Sequence, residues 1–144
     1  MTAAGSLPFG QTAQVLLVDA ANVIGSRPDG WWRDRAGAAR SFLERIRAAV
    51  RAGRLAGPVV VVLEGRARQG AEPGEEGRVT VLHAPAGGDD MLVSAIADAD
   101  EEVTLVTADR GLRQRAVALG AAVASPRWLL EVLDGDVATP SRHG

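Results

Sequence analysis

VLLVDAANVIG, residues 15–25, decides how this chain is read. An unbroken apolar run stops at Asp19, Asn22 follows three residues later, and beyond Gly25 comes a segment containing Pro28 and Gly30. A strand covered on both faces shows continuous apolar residues instead of alternation, so the run predicts a buried parallel strand with Asp19 at its carboxyl end. In open α/β sheets the ligand crevice lies beyond those ends, where the strand order reverses. A carboxylate there costs desolvation unless something cationic meets it. Other acids delivered to the same place would therefore point to a site.

The pattern returns along the chain. VVVVLEG behind Pro58 is a second strand apolar on both faces, and it too runs into an acid, Glu64. VTVLH, residues 79–83, is a short third strand; VTLVTAD, residues 103–109, ends in Asp109; AAVAS is a weak fifth. Helical spacing of Ala39, Phe42, Ile46, Ala49 and Val50 predicts a helix from about Trp32 or Arg33 to Ala52. Leu92, Val93, Ile96 and Ala99 mark the buried face of a second helix, with Asp89 near its cap. A third runs over residues 110–119 and is closed by Gly120, and a last one, residues 127–133, starts behind Ser125 and Pro126. RARQGAEPGEEG, residues 66–77, has no period and reads as an exposed loop. Strands alternating with helices or loops imply an α/β three-layer sandwich with a mostly parallel central sheet. Residues 1–13 read as a flexible lead-in, 14–134 as one domain and 135–144 as a flexible tail.

Composition narrows the chemistry. Without cysteine there are no disulfides, thiolate nucleophiles or thiolate metal sites. The two histidines, His83 and His143, are far apart, which disfavours a histidine-rich zinc site. Neither a signal peptide nor an apolar run of about 20 residues is visible, so the expectation is a cytoplasmic protein with no membrane partner. The formal charge of −2 predicts no strong attraction to nucleic acid by itself. It hides an uneven distribution: every basic residue is Arg, and most of them crowd residues 27–68, opposed there only by Asp29, Asp34, Glu44 and Glu64.

The acids gather by address. Asp19, Glu64 and Asp109 close strands, and Asp89 with Asp90 opens a helix on the same side of the sheet. If the first and fourth predicted strands are neighbours at the switch point, Asp19 and Asp109 face each other across the crevice. Like charges so placed raise one another's pKa or require a counter-ion, and a hard divalent cation such as Mg2+ answers that need. Adjacent helical positions diverge by about 100°, so Asp89 and Asp90 cannot point the same way. Asp89 lies three and four residues before Leu92 and Val93 and should aim at the crevice. Asn22 can both donate and accept, and Thr107 shares a strand face with Asp109.

The order strand–Asp19–x–x–Asn22, then Gly88–Asp89–Asp90 opening a helix, then Thr107–Ala108–Asp109 after a strand resembles the NYN branch of the PIN-like nucleases. The resemblance spans about residues 15–133. It implies a PIN-like, Rossmann-like topology and an endoribonuclease that hydrolyses RNA phosphodiesters with Mg2+ or Mn2+. It makes Asp19, Asp89, Asp90 and Asp109 the metal acids, Asn22 the motif asparagine and Thr107 the hydroxyl before the last acid, with Glu64 as accessory. The chain departs from some relatives in carrying Arg113 where they have a further acid.

Each residue also has a plainer reading. Asp19 and Asp89 suit a turn or helix start, Asp90 suits first-turn electrostatics, and Asn22 suits turn shaping. Arg27, Arg33, Arg66, Arg110 and Arg113 are phosphate clamps or surface residues, and Trp31 and Trp32 provide packing or a stacking platform for an unpaired base. The expected partner is RNA, single-stranded or structured, with a homodimer or a protein partner left open. The rival function is a catalytically silent RNA-binding or protein-interaction module on the same scaffold.

Overall fold

A computed structural model describes residues 14–85 and 87–135, so the expectations for the lead-in and nearly all of the tail lie outside the described residues. The elements run β1 (Gln14–Asp19), α1 (Ala20–Gly25), a 3₁₀ turn (Trp31–Arg33), α2 (Arg35–Arg51), β2 (Val59–Leu63), a second 3₁₀ segment (Gly65–Gly70), β3 (Gly74–Glu76), β4 (Val79–His83), α3 (Gly88–Asp98), β5 (Glu102–Val106), α4 (Arg110–Ala118), β6 (Ala122–Ala124) and α5 (Pro126–Leu133). The six strands form one sheet in the order β3-β4-β2-β1-β5-β6, and every pair is parallel except β3 with β4. This is the three-layer, mostly parallel α/β architecture that the sequence implied.

Continuous apolar strands result from burial on both faces. Along β1, Leu16 and Val18 enter the core under α1, α2 and α5, while Leu17 enters the opposite core under α3 and α4. β2 does the same, with Val59, Val61 and Leu63 on the first side and Val62 on the second. Fully burying each such side chain stabilises by about 1.5–3 kcal/mol, so the two central strands anchor the fold. The chain leaves β1 for β2 and β4 on one side, then returns to place β5 and β6 on the other. The sheet's switch point is therefore the gap between the carboxyl ends of β1 and β5.

Three local features differ from the sequence reading. Residues 20–25 form the short helix α1, an element that the sequence pattern does not signal. The first long helix starts at Arg35, because Asp34 accepts a hydrogen bond from Gly37 N (2.9 Å) and so caps it behind a separate 3₁₀ turn. The expected loop at residues 66–77 contains a 3₁₀ segment and the exposed strand β3, which pairs with β4 along an edge that offers no apolar signal. Among the described residues no helix is long and apolar enough to cross a membrane.

Candidate functional site

At the switch point Asp19 ends β1 and caps α1, and it is only 7% exposed. Its Oδ1 accepts from the Asn22 backbone N–H (3.3 Å) and its Oδ2 from the Thr107 hydroxyl (3.0 Å). The wholly buried Thr107 accepts in turn from the Asp109 N–H (3.2 Å), and Asn22 Oδ1 accepts from the Ala108 N–H (2.8 Å). The end of β1 and α1 are thus stitched to the turn after β5 by two hydrogen bonds: Asp19 and Asn22 contribute side chains from one side, and the Thr107 hydroxyl and the Ala108 backbone N–H answer from the other. Burial pushes the Asp19 carboxyl above its ordinary value; the Thr107 and Asn22 hydrogen bonds oppose this, and the charges of Glu64 and Asp89 add to the rise. Thr107→Val removes one of two donors to Asp19 and strands the Asp109 amide. The expected result is a loss of about 1–3 kcal/mol in urea denaturation, the cost of unsatisfied buried polar groups.

Glu64 follows β2 and reaches across to α3, where its Oε2 accepts from the Gly88 N–H (2.9 Å). A Cβ on Gly88 would stand 2.5 Å from that oxygen, so glycine leaves the space the carboxylate fills. Asp89 lies in the first turn of α3 and Asp90 beside it, both exposed. Their directions differ as helical geometry requires: Asp89 acts electrostatically on Asp19, whereas Asp90 pairs with Arg115 of α4 at 3.5 Å.

The acids expected on one metal, Asp19, Asp89, Asp90 and Asp109, occupy different settings. β5 ends at Val106, so Asp109 is no longer on a strand; it caps α4, with Oδ1 accepting from Leu112 N (2.9 Å). It meets Asp19 through Thr107 rather than face to face, and the acids whose charge Asp19 feels are Glu64 and Asp89. Asp90 is exposed and lies toward Arg115 instead. Among the described residues no group of three or more acids or histidines is gathered closely enough to hold a metal ion. Part of each carboxylate's bonding capacity goes to backbone amides, which fixes Asp19, Glu64 and Asp109 in separate segments.

The candidate phosphate contacts separate into two kinds. Arg27 is bound to Asp134 (2.7 Å), which Arg45 also engages; the Arg27 hydrogen bond, foremost, holds the Asp134 carboxyl below its ordinary value. Of the two readings left open for Arg27, phosphate clamp or surface residue, the pairing suits the second. Arg33, Arg66, Arg110 and Arg113 have no ion pair among the described residues. Trp31 is half-buried against Gly25, while Trp32 is 51% exposed and stands edge-on to it, ring centroids 6.2 Å apart.

No family model and no curated protein matches the chain. Among solved structures it is similar to Rae1 (YacP) from Bacillus subtilis. A tryptophan-to-leucine mutant of Rae1 is 19% identical with a TM-score of 0.67, covering 86% of this chain and 77% of that one. A second Rae1 structure is 21% identical with a TM-score of 0.62, covering 85% and 74%. The chain shares its fold with Rae1.

Two features of the crevice were missed in the sequence. Arg35, at the start of α2, places its guanidinium 5.4 Å from the centre of the Trp31 ring. Recognising Asp34 as the cap would have put Arg35 at the first helical position, beside the tryptophans. The link from Glu64 to Gly88 joins residues 24 apart in sequence, and the Gly87–Gly88 pair was its one local signal.

Proposed function

We propose that this chain is a metal-dependent endoribonuclease whose site is centred on Asp19 at the carboxyl ends of β1, β2 and β5. The observation that carries this reading is a buried carboxylate at the switch point, acted on by Glu64 and Asp89 and, among the described residues, met by no cationic side chain. Structural carboxylates buried for stability usually have a cationic partner; a buried acid that has only neutral donors and other acids around it suits an incoming cation. The fold shared with Rae1 and the motif order of the NYN branch support the same reading.

Hard oxygen donors of this kind fit Mg2+ or Mn2+ in charge and chemistry, although the side chains as placed do not form a finished cage. On this reading Asp19 would meet the ion first, and Glu64 and Asp89, whose charges act on it, would have to close on the ion from where they now stand, with Asp109 at the rim through the oxygen that does not cap α4. When bound, such an ion supplies charge neutralisation at the scissile phosphate and a more acidic water. The chain's own groups do the positioning. Thr107 and the Asn22 amide fix both oxygens of Asp19, Gly88 fixes Glu64, and the Asn22 side chain ties α1 to the turn that carries Asp109. Arg33, Arg66, Arg110 and Arg113, which have no ion pair among the described residues, would hold backbone phosphates on this reading.

Incubation of the purified chain with end-labelled RNA tests the proposal. Internal cleavage in Mn2+ or Mg2+ that stops in excess EDTA is expected. RNA binding with no turnover in either metal would assign the catalytically silent module instead, a reading favoured by the dispersed acids and by Arg113.

A further inference from the structure

Two clefts meet at Arg35. One, of about 230 Å³, is lined by Trp31, Arg35 and Glu64; the other, of about 320 Å³, by Trp32, Arg33, Arg35 and Arg66. Arg35 lines both, so the two clefts adjoin at its side chain and together make a trough interrupted only there, the inner cleft beside Glu64 and the outer one beside Trp32.

The inner cleft has an apolar wall of Ala21, Ile24 and Ala67 with Glu64 beside it, whereas the outer one is cationic. Arg33, Arg35 and Arg66 form no ion pair among the described residues, in contrast to Arg27, Arg45 and Arg47, which meet Asp134 and Glu76. The Arg33 guanidinium lies 5.6 Å from the centre of the Trp32 ring and that of Arg35 5.4 Å from the centre of the Trp31 ring. Stacked this way, each arginine loses little mobility on binding and keeps its N–H fork free for phosphate oxygens. Trp32 presents about half of its surface to solvent, so part of its indole is open to a stacking partner.

We infer that this trough seats an unpaired RNA strand, with a base stacked on Trp32, phosphates on Arg33, Arg35 and Arg66, and the strand led past Glu64 toward Asp19. This deepens the ribonuclease reading and rests on it for the identity of the polymer. An unpaired strand is favoured over a duplex because base faces are stacked away inside a helix, whereas a splayed base can lie on an exposed indole. Arg35 is the positioning residue of the trough: it touches phosphate at the joint between the two clefts and so sets the path into the site.

The test is fluorescence anisotropy with labelled oligouridylate, alone or annealed to its complement, in EDTA so that no metal chemistry intervenes. The wild-type chain should bind the single strand at least about tenfold more tightly than the duplex, and Trp32→Ala should lose about tenfold or more, while Trp32→Phe keeps most of the affinity. Arg35→Gln should weaken binding and lower the slope of log affinity against log salt by about one. Trp32 is on the surface, so its replacement leaves the core intact. Duplex bound as tightly as single strand, or wild-type affinity in both Trp32→Ala and Arg35→Gln, overturns the inference. The two readings fail separately: strand binding in EDTA without cleavage in Mn2+ rejects the nuclease and keeps the trough. Cleavage that is indifferent to Trp32→Ala rejects the trough and keeps the nuclease.

Discussion

Asp19→Asn is expected to lower the rate of RNA cleavage by about 10²–10³-fold, the scale on which losing one preorganised electrostatic group acts in a water-poor site, while raising thermal stability at neutral pH. The two effects have one cause. Burial and the charges of Glu64 and Asp89 disfavour the ionised form of Asp19, so its folded-state pKa lies above the unfolded one. Over the interval from the ordinary value of 3.8 up to the raised folded value, the native state holds more protons than the unfolded state. The Asp19 contribution to stability is therefore present below that interval and declines as pH rises through it. Asparagine keeps the shape of aspartate without the charge, and the Thr107 hydroxyl can rotate from donor to acceptor to meet its amide. Melting at pH 7 should shift upward by a few degrees, the scale set by roughly 1 kcal/mol in a domain of this size, and the decline above the ordinary carboxylate range should flatten. An inactive variant that melts lower than wild type, with an unchanged pH profile, would mean that Asp19 is a structural acid.

Two neighbouring acids should separate just as clearly. Asp89→Asn removes a charge that acts on Asp19, and the expected loss in cleavage is about 10–100-fold, the range measured when groups supporting a metal are removed. Asp90→Asn removes only an exposed pair with Arg115, its own side chain 93% accessible, and pairs of that kind are worth at most about 1 kcal/mol. Cleavage by Asp90→Asn should stay within about twofold of wild type on the same grounds. Steady-state rates on one labelled RNA decide the matter. Equal losses in both variants would mean that α3 contributes a diffuse negative field and no specific acid.

The central strands were legible because β1 and β2 are buried on both faces, and Leu16, Leu17 and Val18 can be read as such without knowing their neighbours. Asp19 followed from them as the residue where that run stops. α1 escaped because a six-residue helix is too short for a hydrophobic period; it is held by the Asp19 cap and by the burial of Ala20 and Val23. Asp109 was misplaced for a different reason. An aspartate after an apolar run reads equally well as a strand-end acid or a helix cap, and only the stop of β5 at Val106 separates the two. β3 was invisible because Gly74, Glu75 and Glu76 are all exposed, so their pairing with β4 leaves no apolar trace. The pairing of Arg27 with Asp134 spans 107 residues and has no local signature.

Calorimetric titration of Mn2+ into metal-free protein, wild type beside Asp19→Asn, measures most directly whether the carboxylates at the switch point are held for a cation. Saturable binding in the wild type that is lost or weakened at least about tenfold in the variant is the expected result, since one of the few charged ligands of the ion would be gone. Identical binding curves for the two proteins, or no binding heat in either, would contradict it.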